Sequence, residues 1–517
     1  MAFSRDNLLA LSVFTICSIG FFVWGYQYIP TNHFILFLIA GIFGIFMAFN
    51  IGGNDVANSF GTSVGAKTLT LKQALVIAAI FELSGAIFAG SEVTDTIRNG
   101  IIDFPADGIL NPMHFVAVMI SALLSSGLWL FYATKRGLPV STTHSIVGGI
   151  VGAGMIMGYF AHGAGEALNM VSWGEIGKIA VSWVISPILG GVASYLIYGY
   201  MKKKILEPTA ALKASLKALK KERRGYKEEF IRSLASRPQS EQIDTLSKMA
   251  LIDEDEIENA EYSEYRSRIK AMKEREKRLD AFSAMKKHVP VIASAGAMVI
   301  SSMMLFKGLQ HLNFSFSAIE TVWIIFVIGA LAYLTSFAIV NVMNKGDSEK
   351  SINKIFSWFQ IFTASSFAFS HGANDIANAV GPFAAVLDVL KTGSINEASP
   401  IPSVAMITFG IALVIGLWFL GKEVIATIGS KLAEILPTTG FSAELGASIV
   451  ILLATKLGIP VSSTHILIGA VLGIGIVNKN ANWGMMKPIL LAWIITLPTA
   501  GISSAVIYFI LKSVLGL

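Results

Sequence analysis

Gly53-Asn54-Asp55-Val56-Ala57-Asn58 returns as Ala373-Asn374-Asp375-Ile376-Ala377-Asn378 after 320 residues, and Gly61 recurs as Gly381 at the same offset. A second pair agrees with the first. Ala133-Thr134-Lys135-Arg136-Gly137-Leu138-Pro139-Val140-Ser141-Thr142-Thr143-His144 returns as Ala454-Thr455-Lys456-Leu457-Gly458-Ile459-Pro460-Val461-Ser462-Ser463-Thr464-His465, offset by 321. Weaker matches join Glu92-Val93 and Thr96-Ile97 to Glu423-Val424 and Thr427-Ile428. Trp173-Gly174 and Trp183 likewise match Trp483-Gly484 and Trp493. Motifs repeated in one order over both halves mark two copies of a single unit.

Both copies are embedded in apolar sequence. The 517 residues are 54% hydrophobic and 14% charged, with a mean hydropathy of +0.64, which sets soluble globular folds aside. Between Met201 and His288 fall 22 of the 40 Lys and Arg and 16 of the 34 Asp and Glu, leaving 18 of each sign elsewhere. The net charge of +6 therefore belongs to that segment. Outside it, apolar runs repeatedly approach the ~20 residues that a helix needs to cross a hydrocarbon layer. The expected spans are Leu8–Ile29, Phe34–Phe49, Gln73–Ala89, Phe115–Tyr132, a short Ser145–Phe160 and Ile176–Tyr200. Beyond the insert come Val289–Leu305, Ile319–Val342, Ile355–Phe369, Ser403–Leu420, Ala443–Leu457, a short Ile466–Val477 and Met486–Leu511.

The sequence thus predicts an all-α polytopic membrane protein with about 10–12 transmembrane helices in two homologous repeats. Residues 1–200 form the N-terminal repeat, 201–288 a charged insert and 289–517 the C-terminal repeat. Lys202 to Lys204 and Lys286 to His288 make both edges of the insert basic, so the positive-inside tendency places it in the cytoplasm. Its stretches Leu212–Leu234 and Glu261–Phe282 read as solvated helices of a linker domain. Leu8–Ile29 is longer than a signal-peptide core and reads as a retained first span. The single Cys17 excludes intrachain disulfides and cysteine metal clusters. A pI near 9.1 fits a membrane surface better than nucleic acid, because acidic and basic residues alternate in the insert.

Asp55 and Asp375 each follow an apolar run, and a carboxylate within a membrane costs several kcal/mol unless it is paired or wet. Asn54, Asn58, Asn374 and Asn378 flank them, with glycines on either side. That composition disfavours an unbroken helix, so the chain is expected to unwind there and to offer carbonyl, amide and carboxylate oxygens to a small cation. In Pro139-Val140-Ser141-Thr142-Thr143-His144 and its repeat, proline ends one element and Ser or Thr caps the next helix. The free N–H groups and hydroxyls there suit a tetrahedral oxyanion. His144 and His465 have no second His or Cys at ligand spacing and are expected to make local hydrogen bonds.

Neither motif supplies a Lys or Arg, so an anion approaching two aspartates must enter with cations. Charge balance implies a cation-coupled anion symporter working by alternating access. Near neutral pH phosphate keeps a proton that it can donate to a carboxylate, whereas sulfate can only accept, and phosphate is the better fit.

At these residues the sequence resembles the inorganic phosphate transporter family, its sodium-dependent branch included. Gly52 to Thr62 and Gly372 to Pro382 both match the duplicated family signature, and Thr94 to Asp103 also resembles the sodium-coupled members. The resemblance implies inverted repeats, each with a re-entrant helical hairpin starting near Ser141 or Ser462. It implies that Asn54, Asp55, Asn58, Asn374, Asp375 and Asn378 build sodium sites. Asp55 and Asp375 would also approach the substrate, and Ser141, Thr142, Thr143, Ser462, Ser463 and Thr464 would hold phosphate. Glu82 and Glu444 resemble further acidic positions that matter for transport. Sodium is then the coupling ion, no cofactor is needed, and a homodimer in the plasma or inner membrane is expected. Proton coupling, sulfate as substrate, and a phosphate sensor signalling through the insert are the competing readings. An enzyme acting on a phosphorylated lipid through His371 and Asp375 would lack the clustered acidic metal ligands such chemistry needs.

Overall fold

The computed structural model describes residues 5–104, 110–163, 165, 167–250, 260–279, 282–308, 317–343, 348–396, 401–422, 424–425 and 435–517, without the side chains of 57, 58, 92, 99, 248–250, 260–263, 277, 303–304, 306–308, 348–349 and 485. Among these residues the chain is helical apart from one isolated bridge, Ile102 to Val171. In the first half α1 (Arg5–Tyr28) and α2 (Phe34–Ile51) lead through a wide π turn, Gly52–Val56, into α3 (Ala57–Gly65). Then come α4 (Leu71–Ala89), α5 (Ser91–Asn99), α6 (Pro112–Lys135), α7 (Thr142–His162) and α8 (Trp173–Met201). The insert holds α9 (Glu207–Leu234), α10 (Gln239–Ala250) and α11 (Ala260–Arg278). The second half comprises α12 (Ser283–Gly308), α13 (Ala318–Val342), α14 (Ser348–Asp375), α15 (Ala377–Thr392), α16 (Ser403–Leu420), α17 (Pro437–Lys456), α18 (Ser463–Asn478) and α19 (Trp483–Leu515).

Among the described residues ten helical stretches are long and apolar enough to cross a membrane, and the protein is a multi-pass membrane protein. The stretch expected to be short, Ser145–Phe160, lies in a 21-residue helix, because Ser141 caps α7 a full turn earlier than hydropathy alone indicates. Its counterpart α18 remains short at 16 residues. Helix α14 covers the expected span Ile355–Phe369 but is not among the ten, since Gln360, Thr363, Ser370 and His371 dilute its apolar character.

Contacts divide the chain into one unit of Met1–Gly199, Ala293–Ala332 and Asn353–Leu517 and another of Tyr200–Ile292 with Tyr333–Ile352. In the second unit, α9 and α11 pair through Arg223 and Glu276 at 2.6 Å. Phe230 also stacks on Tyr265 there, with ring centroids 4.1 Å apart. The ring contact outweighs the half-exposed ion pair, which is worth under about 1 kcal/mol.

In the first unit the halves interlock, and the contacts come in pairs at the sequence offsets. A Cβ on Gly52 would lie 1.7 Å from the Leu413 carbonyl oxygen, and one on Gly372 would lie 2.1 Å from that of Glu82. Thus α2 is pressed on α16 as α14 is on α4. Helix α7 meets α19 where a Cβ on Gly152 would be 2.1 Å from Gly501 O, and α18 meets α8 where one on Gly473 would be 2.2 Å from Gly191 O. Helix α6 ends at Gly137 with φ 64° and α17 at Gly458 with φ 66°. These left-handed residues terminate each helix by folding Leu138 N–H and Ile459 N–H back onto Ala133 O and Ala454 O, both at 3.0 Å. The chain is thereby turned toward the Ser/Thr segments. Phe21, Phe37, Phe383 and Phe409 form a buried aromatic cluster joining α1, α2, α15 and α16.

Candidate functional site

The Asn-Asp motifs do not unwind as expected. The first widens into the π turn and the second breaks regular helix at Ile376 alone, because both are buried and their amides stay hydrogen-bonded along the chain. The aspartates nevertheless converge. Asp55, His371 and Asp375 each offer a ligand atom within 4.8 Å of the others, and all three side chains are buried.

Asn54 and Asn374 position the connecting segments. Asn54 Nδ2 donates to Thr134 Oγ1 at 3.0 Å and Leu138 O at 2.9 Å, and its Oδ1 accepts from Val140 N–H at 3.1 Å. Asn374 repeats this with Thr455 Oγ1 at 3.1 Å, Ile459 O at 3.2 Å and Val461 N–H at 3.2 Å. Each amide thus clamps the Pro-Val stretch leading into a Ser/Thr helix start. The Asn58 side chain lies outside the described residues.

Ser141 and Ser462 cap α7 and α18, accepting from His144 N–H at 3.1 Å and His465 N–H at 3.3 Å. The next hydroxyls reach the acids and cross between halves. Thr142 Oγ1 donates to Asp55 Oδ2 at 2.5 Å, and Thr464 Oγ1 of the other repeat donates to Asp55 Oδ1. Thr143 Oγ1 donates to Val461 O at 2.9 Å, while Ser463 lies against Asp375. Asn378 Nδ2 contacts Thr142 Oγ1 at 3.1 Å, Thr143 Oγ1 at 3.2 Å and Asp375 Oδ1 at 3.4 Å. Its Oδ1 is a buried acceptor without a hydrogen-bond partner among the described residues. Two carboxylates, a free amide oxygen and several hydroxyls make a hard-oxygen set suited to a small monovalent cation. The two helix starts beside them supply donors for an oxyanion.

Glu82 and Glu444 occupy different surroundings. His371 Nδ1 lies 2.8 Å from Glu82 Oε2 and its Nε2 lies 3.1 Å from Asp375 Oδ2, so Glu82 joins the aspartate cluster through the imidazole. Glu444 instead accepts from Thr62 Oγ1 at 2.6 Å, Thr363 Oγ1 at 2.7 Å and Gln360 Nε2 at 3.2 Å. Thr62, Gln360 and Thr363 carry no motif of their own, and the sequence joins His371 to Asp375 but not to Glu82. Their signal was present: Gln360, Thr363 and His371 with Asp375 follow a helical spacing along one face of α14, and Thr62 lies two turns beyond Asp55. Arg98 is also buried, paired with Asp388 at 3.0 Å and donating to Asn396 O at 3.0 Å, which fastens α5 to α15. The His144 and His465 rings meet edge to face at 4.6 Å and pack on Trp183 and Trp493, so they fill the wedge between the two helix starts.

Residues 51–504 match the phosphate transporter family, a family of transporters and not of enzymes. The chain is 48% identical over 507 residues to a Mycobacterium bovis protein named "Putative phosphate permease", covering 95% of this chain and 91% of that one. It is 32% identical over 490 residues to a Haemophilus influenzae protein of the same name, covering 92% and 96%. A solved structure titled "The sodium-dependent phosphate transporter" superposes with a TM-score of 0.71 at 30% identity, covering 93% of this chain and all of that one.

Proposed function

The chain belongs to the phosphate transporter family, and on that premise we propose that it is a sodium-coupled symporter of inorganic phosphate working by alternating access in the plasma or inner membrane. The observation that carries the reading is Asp55, whose carboxylate takes hydroxyl donors from Thr142 of one repeat and Thr464 of the other. An anion seated on those hydroxyls and helix N-termini faces two acids, and sodium ions held by Asp55, Asp375 and the Asn378 amide oxygen would cancel the repulsion. Thr142, Thr143, Ser463 and Thr464 would hold the phosphate. Ser141 and Ser462 would act as caps that aim the helix amides at it. Asn54 and Asn374 would position the same segments and lend backbone oxygens to sodium.

Phosphate keeps a proton near neutral pH and can donate it to a carboxylate, which sulfate cannot do. Alternating access would come from inverted repeats rocking about the crossed contacts Thr143 to Val461 and Thr464 to Val140. A homodimer is the assembly we expect. Uptake of labelled phosphate into proteoliposomes, challenged with excess sulfate or excess unlabelled phosphate, tests the substrate. Only unlabelled phosphate should inhibit, and equal inhibition by both anions would remove phosphate selectivity from the proposal.

The Glu82–His371–Asp375 chain supports a second reading, proton coupling through the imidazole. A pH jump at constant sodium separates the two coupling ions: it should leave uptake without a driving force if sodium alone is coupled.

A further inference from the structure

A groove of about 550 Å³ opens between α8, α18 and the start of α19. Its walls, including Val192, Leu472, Ile476, Leu490 and Trp493, are almost wholly apolar. Helices α8 and α18 line it side by side in the same direction: Gly469 abuts Pro187, Gly473 abuts Gly191, and Asn478 Nδ2 donates to Tyr198 Oη at 3.2 Å. The end of the groove at Ile476 and Trp483 therefore lies by the last turns of α8.

Two exposed lysines stand at that end. Lys479 caps α18 in a left-handed conformation, φ 58°, one turn beyond Ile476, and Lys487 follows Trp483 by one turn of α19. Among the described residues neither has an acidic partner. The first half carries no such pair. By the repeat offsets Gly158 and Gly177 take the places of Lys479 and Lys487, and neighbouring Lys178 is paired with Glu175 at 2.5 Å.

We propose that this groove binds an anionic phospholipid from the leaflet at the C-terminal end of α8, with an acyl chain along α18 and its phosphate at Lys479 and Lys487. An apolar slot on a membrane-spanning unit gives a soluble anion nothing to recognise, whereas ammonium groups at one mouth of such a slot match an amphiphile of opposite charge. Trp483, 61% exposed at that mouth, suits the headgroup layer. The site also reaches the transport machinery. Trp493 lines the groove and stacks on His465 with centroids 3.6 Å apart, and His465 follows Thr464, whose hydroxyl bonds Asp55. A bound lipid would brace α18 from behind.

The test is native mass spectrometry of the full-length protein released from vesicles of phosphatidylcholine and phosphatidylglycerol. The wild type should retain phosphatidylglycerol on a single copy of the chain. The Lys479→Ala/Lys487→Ala double variant should bind it about 30-fold more weakly, roughly fivefold for each ammonium. Ile476→Trp, which fills the groove, should lose it with both lysines intact. Unchanged retention in both variants would overturn the site. So would an Ile476→Trp variant that alters dimerisation and not lipid retention, because the groove would then be an interface between copies. Lipid retention is read without transport, so its failure is distinct from failure of the sodium–phosphate reading.

Discussion

Asp55 and Asp375 occupy the same place in two copies of one unit, yet their neighbours differ in kind. One turn before Asp55 stands Ile51, and the residue of α16 facing that turn is Leu413. The equivalent positions beside Asp375 are His371 and Glu82. Asp55 takes threonine hydroxyls from both repeats, whereas Asp375 lies 3.1 Å from an imidazole whose other nitrogen is 2.8 Å from a second carboxylate. The two halves share the asparagine clamps, the serine caps and the glycine contacts. The halves differ at this helix contact, where one carries titratable groups and the other apolar side chains.

The largest effects should come from what the two halves share. Asp55→Asn and Asp375→Asn should each reduce sodium-driven phosphate uptake to background in proteoliposomes. Normal transport by both variants would refute the site. The next effect probes the difference. His371→Ile alone strands the buried Glu82 carboxylate and should destabilise the protein by about 3 kcal/mol, the scale for breaking one side of a buried ion pair. Adding Glu82→Leu, which copies the first half, should restore most of that in thermal unfolding in detergent. If the double variant melts below the single one, the pair does more than satisfy burial locally. Thr464→Val removes one hydroxyl from Asp55 and from the phosphate seat. It should raise the apparent KM for phosphate about tenfold, the loss expected for one charge-assisted hydrogen bond. Deleting Glu207 to Lys287 lies outside both halves of the comparison and should leave sodium-driven uptake intact, while a sensor would lose its output.

Much of this site is local chemistry and could be read in the sequence. Proline followed by serine gave the caps at Ser141 and Ser462, and the repeated aspartates gave the acids, because an element boundary and an intramembrane charge each leave a mark within a few residues. What escaped depends on contacts far apart in the chain. Asn54 and Asn374 read as cation ligands, yet their side chains clamp Val140 and Val461 some 86 and 87 residues away. The pairing of Glu82 with His371 spans 289 residues and follows from the glycine-lined approach of α14 to α4, which no periodicity announces. The expected unwinding gave way to a π turn because buried backbone groups keep their hydrogen bonds. The length of α7 was underread because its first turn, Thr142 to Ser145, is polar and still helical.

Coupling is the central claim, and a sodium gradient imposed on liposomes containing the purified protein tests it most directly. At fixed pH, labelled phosphate should accumulate above its equilibrium level when sodium is higher outside, and only equilibrate when potassium replaces sodium. Accumulation that is the same in both salts would contradict the account.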